Sequence, residues 1–293
     1  MVTKSTSWPR SKMTAFDAFL LLLLSLVAIA TVYPVLYIVA ISFSDTASIV
    51  QNRVFLWPKG LNLDAYREIL ETPRIPRAYL NTVLYTTVGT GINLLMTAVA
   101  AYPLSRPGFF GRKSFTVAIV LTMFLNGGMI PTYLIVQKLH LIDTIWALVL
   151  PNAIWTMELL ILKSFYESMS SSLRESAIVD GASEYRILFQ ITIPLAKPAL
   201  ASIGLFYFMG HWNSFFIPMI YLNDAELYPL QVVLREMLFF DTVKDTSLIE
   251  QATLTPQALK NATIFISMIP VLMVYPFAQK YFAKGIMLGS EKG

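Results

Sequence analysis

ESAIVDGASEYRILFQITIP, residues 175–194, is a polar island set between two strongly apolar stretches. It reads as a pair of short helices and not as a loop. Ser172 and Glu175 stand in the S-x-x-E spacing of a capping box, in which the hydroxyl takes an orphan N–H of the first turn and the carboxylate reaches back. Ala177, Ile178 and Ala182 give a small, partly apolar face. After Asp180, Gly181 supplies the left-handed turn that ends a helix, and Ser183 caps a second short one. Tyr185 and Phe189 provide a hydrophobic base for that second turn. A helix–turn–helix kept outside the bilayer, in a chain with little else that is soluble, reads as a handle for a partner. The plainer reading is a surface hairpin in a long loop.

The island stands out because of what surrounds it. The 293 residues are 56% hydrophobic and only 14% charged, where a soluble domain carries about a quarter charged residues. That balance belongs to a polytopic, all-α membrane protein. A net charge of +4 is too small and too scattered to argue for nucleic acid. The chain has no cysteine, which excludes disulfides, thiolate nucleophiles and Cys-based metal centres. No metal-ligand spacing occurs elsewhere, and His140 reads as structural. The first apolar run lacks a convincing cleavage site and reads as a retained span, not a removed signal peptide.

Runs of about 20 apolar residues predict about six spans, at 18–43, 79–104, 115–136, 142–162, 198–222 and 261–282. The first would reach about 39 Å and must tilt or protrude. Pro34, Pro103, Pro131, Pro151, Pro218, Pro270 and Pro276 sit inside or beside the spans. Such breaks are tolerated in lipid where neighbours or a cavity satisfy the freed carbonyls, so a bent bundle lining a path is expected. An even number of spans puts both termini on one side. The basic clusters at Lys4–Arg10–Lys12, Arg106–Arg112–Lys113, Lys163–Arg174–Arg186–Lys197 and Lys280–Lys284–Lys292 hold the majority of the 22 Lys and Arg. They favour cytoplasmic termini, residues 1–17 and 283–293, and a cytoplasmic island at about 172–190. The outer loops are then about 44–78 and 223–260. In the first, Leu63, Tyr66 and Leu70 suggest an interfacial amphipathic turn.

At this point the residues resemble a family. Glu175, Ala177, Gly181 and Pro194 fall in the register of the EAA motif of permease subunits in ATP-binding-cassette (ABC) importers. Ser176 replaces the first alanine, and Ile193 stands where leucine is usual. Asn81-Thr82, the stretch AAYPLSR (100–106), the tail QKYFAKG (279–285) and the ending GSEKG (289–293) are similar to the carbohydrate branch, which includes the maltose-type permeases. The resemblance covers nearly the whole chain. The stretch 126–151 looks closest to members associated with polysaccharide breakdown products, so acidic oligosaccharides enter as candidate cargo.

The resemblance implies a type I ABC importer permease fold in the cytoplasmic (inner) membrane and a mechanism without covalent chemistry. The island would be the coupling helix, with Glu175, Ser176, Ala177, Asp180, Gly181, Ala182 and Tyr185 seated on a separate ATPase subunit. The expected assembly has a second permease subunit, two ATPase subunits that bind ATP and Mg, and an extracytoplasmic solute-binding protein. The outer loop at 223–260, with Arg235, Asp241, Lys244, Asp245 and Glu250, would either receive that binding protein or cover the pore. GFFGRKS (108–114) is no phosphate loop. Its glycines are too close together and Arg112 separates the second from the lysine, so it reads as a tight basic turn, and this chain carries no ATPase motif or cofactor of its own.

Polar groups inside apolar spans are costly unless they face a cavity or a partner. Asn126, Trp155, Glu158, His211, Trp212 and Asn213 are therefore the candidates for a translocation path, since sugars take hydrogen bonds together with aromatic stacking. Structural roles compete: Glu158 pairing at a membrane edge, Trp212 packing between subunits. Two further classes stand beside the importer. A self-contained secondary sugar transporter needs an ion relay and paired inverted halves, and neither is evident. A membrane-embedded enzyme needs convergent acids, histidines or a metal, and the chain has two histidines far apart in sequence.

Overall fold

A computed structural model describes residues 14–125, 127–239 and 256–290. Regular structure among them is helical throughout, with no strand. The first helices are α1 (Ala15–Ser42), α2 (Thr46–Val50), α3 (Asp64–Glu71), α4 (Arg74–Leu104), α5 (Arg112–Leu121), α6 (Met129–Lys138), α7 (Ile145–Val149) and α8 (Thr156–Ser168). After them come α9 (Ser171–Val179), α10 (Glu184–Ile187), α11 (Ile193–Leu195), α12 (Lys197–Trp212), α13 (Phe216–Tyr221), α14 (Leu230–Phe239) and α15 (Pro256–Ser290). The chain forms two compact units: the described residues of Met1–Glu68 with Leu248–Phe265, and those of Ile69–Ser247 with Ile266–Gly293.

In the first unit, Thr14 and Asp17 form a reciprocal capping box that starts α1. The apolar body of that helix is exposed, its large side chains from Phe16 to Leu36 open to the surroundings, as a lipid-facing helix requires. Below it Phe43 packs on Tyr66, with ring centres 4.9 Å apart, and the Tyr66 hydroxyl donates to Ser42 Oγ at 2.8 Å. Asp45 caps α2. The expected amphipathic turn is realised as α3 with a different inward face: Ala65 and Ile69 are buried, while Leu63 and Leu70 are exposed.

The second unit is organised by α4, which packs along α12 and α8. Close approach comes from small residues, as in membrane bundles generally. A Cβ added to Gly89 would lie 2.6 Å from the His211 ring. One added to Gly210 would lie 2.1 Å from the Trp155 ring.

The expected spans are not all single helices. Among the described residues three helices are long and apolar enough to cross a membrane: α1, α4 and Gln257–Pro276 of α15. Two bent pairs, Ile145–Asn152 with Thr156–Ser168 at 54° and Glu184–Leu195 with Lys197–Trp212 at 80°, bring the number to as many as five. The run 115–136 is split into α5 and α6, because Gly128 takes φ +87° and Pro131 follows in the first turn of α6. Pro218 stands likewise in the first turn after a break, where a missing N–H costs no intrahelical bond, and Pro151 lies in the 3-10 turn that ends the α7 arm. The segment after Leu222, expected as an outer loop, is not bare. It holds α14, and α15 already begins at Pro256; Asp241, Lys244, Asp245 and Glu250 lie outside the described residues, as do Lys4, Arg10 and Lys12. Asn81 Nδ2 donates to the Glu226 carbonyl at 2.8 Å, and Leu230 N–H donates to Thr82 Oγ1 at 2.7 Å, so the first turns of α4 fix that segment.

Candidate functional site

The island folds as α9, a sharp turn, α10, a π-helical turn at Leu188–Thr192 and α11. The turn is a Schellman motif: Ala182 N–H bonds the Ala177 carbonyl and Gly181 N–H the Ile178 carbonyl, both at 2.9 Å, with Gly181 at φ +77°. That positive φ is why glycine stands there. Ser183 caps α10 through Arg186 N–H. The proposed capping box does not form. The N-cap of α9 is Ser170, with no side-chain cap bond, and Ser172 Oγ lies 2.7 Å from Ser170 Oγ instead. Glu175 falls past the first turn of α9 and is exposed.

The segment has two unlike faces. Inward, Ala177, Ile187, Leu188 and Ala196 are buried in one cluster with Ala98, Ala101 and Tyr102 of α4, Leu159, Leu162 and Tyr166 of α8, and Ile203 of α12, and Ala182 packs against it. Ala177 and Ala182 therefore hold the segment to its own bundle and are not part of its free face. Outward, Glu175, Ser176, Asp180 and Gly181 are exposed, together with Val179 at 87% and Tyr185 at 79%. Apolar side chains this open on a polar segment mark a candidate interaction surface.

A polar latch reinforces the inward face. Tyr102 Oη donates to Glu184 Oε2 at 2.6 Å, Arg174 pairs with the same carboxylate, and the Arg106 guanidinium lies 4.3 Å over the Tyr102 ring. These residues line a cavity of about 550 Å³ with Pro103, Phe109 and Tyr185. The Arg174 bond, followed by the Tyr102 bond, holds the Glu184 carboxyl below its usual value of 4.5. Nearby, Arg112 Nε donates to the Leu104 carbonyl at 2.9 Å and pairs with Glu167, so the basic turn at 108–114 ties α4 to α8.

The candidates from the spans separate into two groups. Trp155 lies against Tyr207, with centres 4.8 Å apart, and 6.4 Å from His211. His211 Nε2 is 2.6 Å from Asn93 Oδ1. Asn93, fully buried, donates through Nδ2 to the Asn152 and Ala153 carbonyls at 2.9 and 2.8 Å. The Tyr207 hydroxyl takes the Trp155 N–H at 3.3 Å and shares a 2.6 Å bond with Thr97. The backbone groups freed where α7 gives way to α8 are thus satisfied by α4 and α12. Glu158, in the first turn of α8, is 8% exposed, and no described residue hydrogen-bonds or ion-pairs with it. Trp212 departs from its expected role: at 2% exposure its indole donates to the Ser267 carbonyl at 3.0 Å and it stacks on Phe208, so it packs α12 against α15. Asn213 is exposed and bonds its own helix at Met209. Asn126 lies outside the described residues. Asn93, Thr97, Tyr102, Glu184 and Tyr207 were missed from the sequence; a lone Asn in the apolar run of α4 was the available signal.

Residues 93–288 match the family described as the binding-protein-dependent transport system inner membrane component. Among curated proteins the chain is 41% identical over 280 residues to protein LplC of Bacillus subtilis (strain 168), covering 95% of each. It is also 41% identical over 281 residues to the polygalacturonan/rhamnogalacturonan transport system permease protein YtcP of the same strain, covering 95% of this chain and 98% of that one. Among solved structures it superposes, with a TM-score of 0.86 and 34% identity over 93% of this chain and 99% of the other, on a chain of a bacterial ABC transporter involved in the import of the acidic polysaccharide alginate.

Proposed function

The chain belongs to the binding-protein-dependent transport system inner membrane components, and from that premise we propose that it is one half of a heterodimeric pore in an ABC importer for oligosaccharides, acidic polysaccharide fragments among them. The chain supplies no ATPase. Two separate ATPase subunits bind ATP and Mg, and an extracytoplasmic solute-binding protein delivers the cargo. Both termini and the segment 171–196 are placed on the cytoplasmic side. The sugar reading rests on the cargo named for the 41% and 34% identical relatives.

One observation carries the coupling role: the outward face of α9 and α10 is exposed, with Val179 and Tyr185 open among its polar residues, while the inward face is buried among α4, α8 and α12. A knob welded to three helices on one side and open on the other converts docking into helix tilt. Its length also fits. At 1.5 Å per residue, α8 and α12 run about 20 and 24 Å from this segment to the breaks near Trp155 and Asn213. ATP-driven approach of the two ATPase subunits would move the near ends of these rods and shift the far ends, with no bond made or broken in this chain. Because the chain has no native cysteine, Gly181→Cys and Glu175→Cys place single thiols on the knob. Crosslinks from both to the nucleotide-binding subunit in membranes are expected. Failure of either thiol to reach that subunit, or labelling of both from outside intact cells, overturns the reading.

A further inference from the structure

We infer that the cleft where three helix breaks meet is a sugar-contacting station belonging to this subunit, one that takes neutral hydroxyl-bearing faces and does not read carboxylate charge. It rests on the importer reading above and specifies what that pore touches. The breaks after α5 and before α8, with α13 from its first residue after the break that ends α12, face one cavity of about 560 Å³, inside the range of about 300–1,000 Å³ typical of small-molecule sites. Non-helical backbone at membrane depth is tolerated where it lines such a cavity, so three breaks converging on one space mark it as wet.

The chemistry of the lining is specific. Among the described lining residues none is Asp, Glu, His, Lys or Arg. The polar groups are neutral: the Asn152 amide, the Trp155 indole N–H and the Tyr221 phenol, none of which hydrogen-bonds to a described residue. Thr122 and Thr156 hydroxyls join them, 3.3 Å apart. The aromatic members are held in place, Trp155 by Tyr207 and Tyr221 by stacking on Tyr133 at 6.0 Å. Fixed aromatics beside unpaired neutral donors and acceptors suit a sugar ring. A carboxylate turned into this lining would lose its water with no cation to replace it. An acidic sugar therefore enters with its carboxylate toward the open side, and any preference for acidic over neutral sugar is set elsewhere in the assembly.

The test uses the assembled permease–ATPase complex with Thr132→Cys as the one cysteine in this chain; Thr132 lines the cleft and its hydroxyl bonds only within α6. The rate at which N-ethylmaleimide labels this subunit is measured with trigalacturonate or with its fully methyl-esterified form, which has the same hydroxyls and no charge. Both are expected to slow labelling several-fold and to the same extent. Protection by the free acid alone overturns the charge-blind lining, and protection by neither overturns the site. Thr122→Cys repeats the measurement should the first variant assemble poorly. A complex that imports sugar yet leaves both thiols unprotected sinks only this inference, whereas a complex with no sugar-dependent ATP hydrolysis sinks the importer reading itself.

Discussion

Gly210 shows how much one hydrogen decides at the residue scale. Its α-carbon faces the tip of the Trp155 ring, and a methyl there would sit 2.1 Å from Cη2. An indole is rigid and is already held by Tyr207, so it cannot yield by a small torsion. Gly210→Ala is expected to displace Trp155 and to cost about 1–3 kcal/mol of overpacking. Thermal unfolding of the purified complex checks the stability term, and sugar uptake at unchanged docking to the ATPase checks the functional one. Glu184 gives the pH dependence. Its folded pKa is lowered, first by Arg174 and then by Tyr102, so its contribution is fully present above about 4.5, the usual glutamate value, and is lost as pH falls through the lowered folded value. As the side chain is half exposed, the contribution is discounted to about 1 kcal/mol or less. ATPase coupling should therefore show no inflection from this group across neutral pH, and Glu184→Gln should cost about 1 kcal/mol or less at pH 7. An inflection near neutrality that disappears in Glu184→Gln would contradict the latch.

At the scale of the element, the polar segment 171–196 was legible where backbone geometry dictates residue type, and misread where only burial decides. Gly181 announced its left-handed turn because no other common residue takes that conformation cheaply. Ser183 announced α10 because a hydroxyl before a helix has a local use. Ser172 misled, since the helix starts two residues earlier than the spacing implied and its N-cap, Ser170, makes no side-chain cap bond. Ala177 and Ala182 also misled: small residues serve a docking face and a tight internal contact equally well, and only packing against Leu162 and Tyr166 separates the two. The break after α5 was legible in the Asn-Gly-Gly run at 126–128, and Pro218 gave the approximate place of the one after α12. Gly181→Asp follows from the corrected picture. No atom lies within 4 Å of the added Cβ, and Asp tolerates the left-handed conformation better than most residues. The bundle should fold while a new charge sits on the exposed knob. Sugar-stimulated ATP hydrolysis in the assembled complex should fall to its unstimulated rate with helix content by circular dichroism unchanged. Normal stimulation would remove α9 and α10 from the coupling path.

On the scale of the whole molecule, composition alone gave a polytopic helical protein, and the register of the island gave its family; neither could give the number of continuous helices, because lipid exposure and burial in a bundle select the same side chains. The exposed apolar length of α1 and the partly buried α4 illustrate this, since both are apolar enough to span. What the assembled picture decides is where the driving energy enters. A self-contained transporter requires a chain of titratable groups through its core. Among the described residues the buried ionisable side chains are Glu158 and Lys260, one in the first turn of α8 and the other in the first turns of α15. A buried carboxyl at one end of α8 is not by itself a proton relay, and the exposed knob lies at the opposite end of that helix. Energy should therefore enter through the knob. Reconstituted alone in liposomes, the chain should take up no oligosaccharide under either a proton or a sodium gradient. Adding the second permease and the ATPase subunits should give ATP hydrolysis, and uptake should follow once the loaded binding protein is supplied. Gradient-driven uptake by the single chain, abolished by Glu158→Gln, would instead place the energy source at that buried carboxyl and leave the knob without a role in transport.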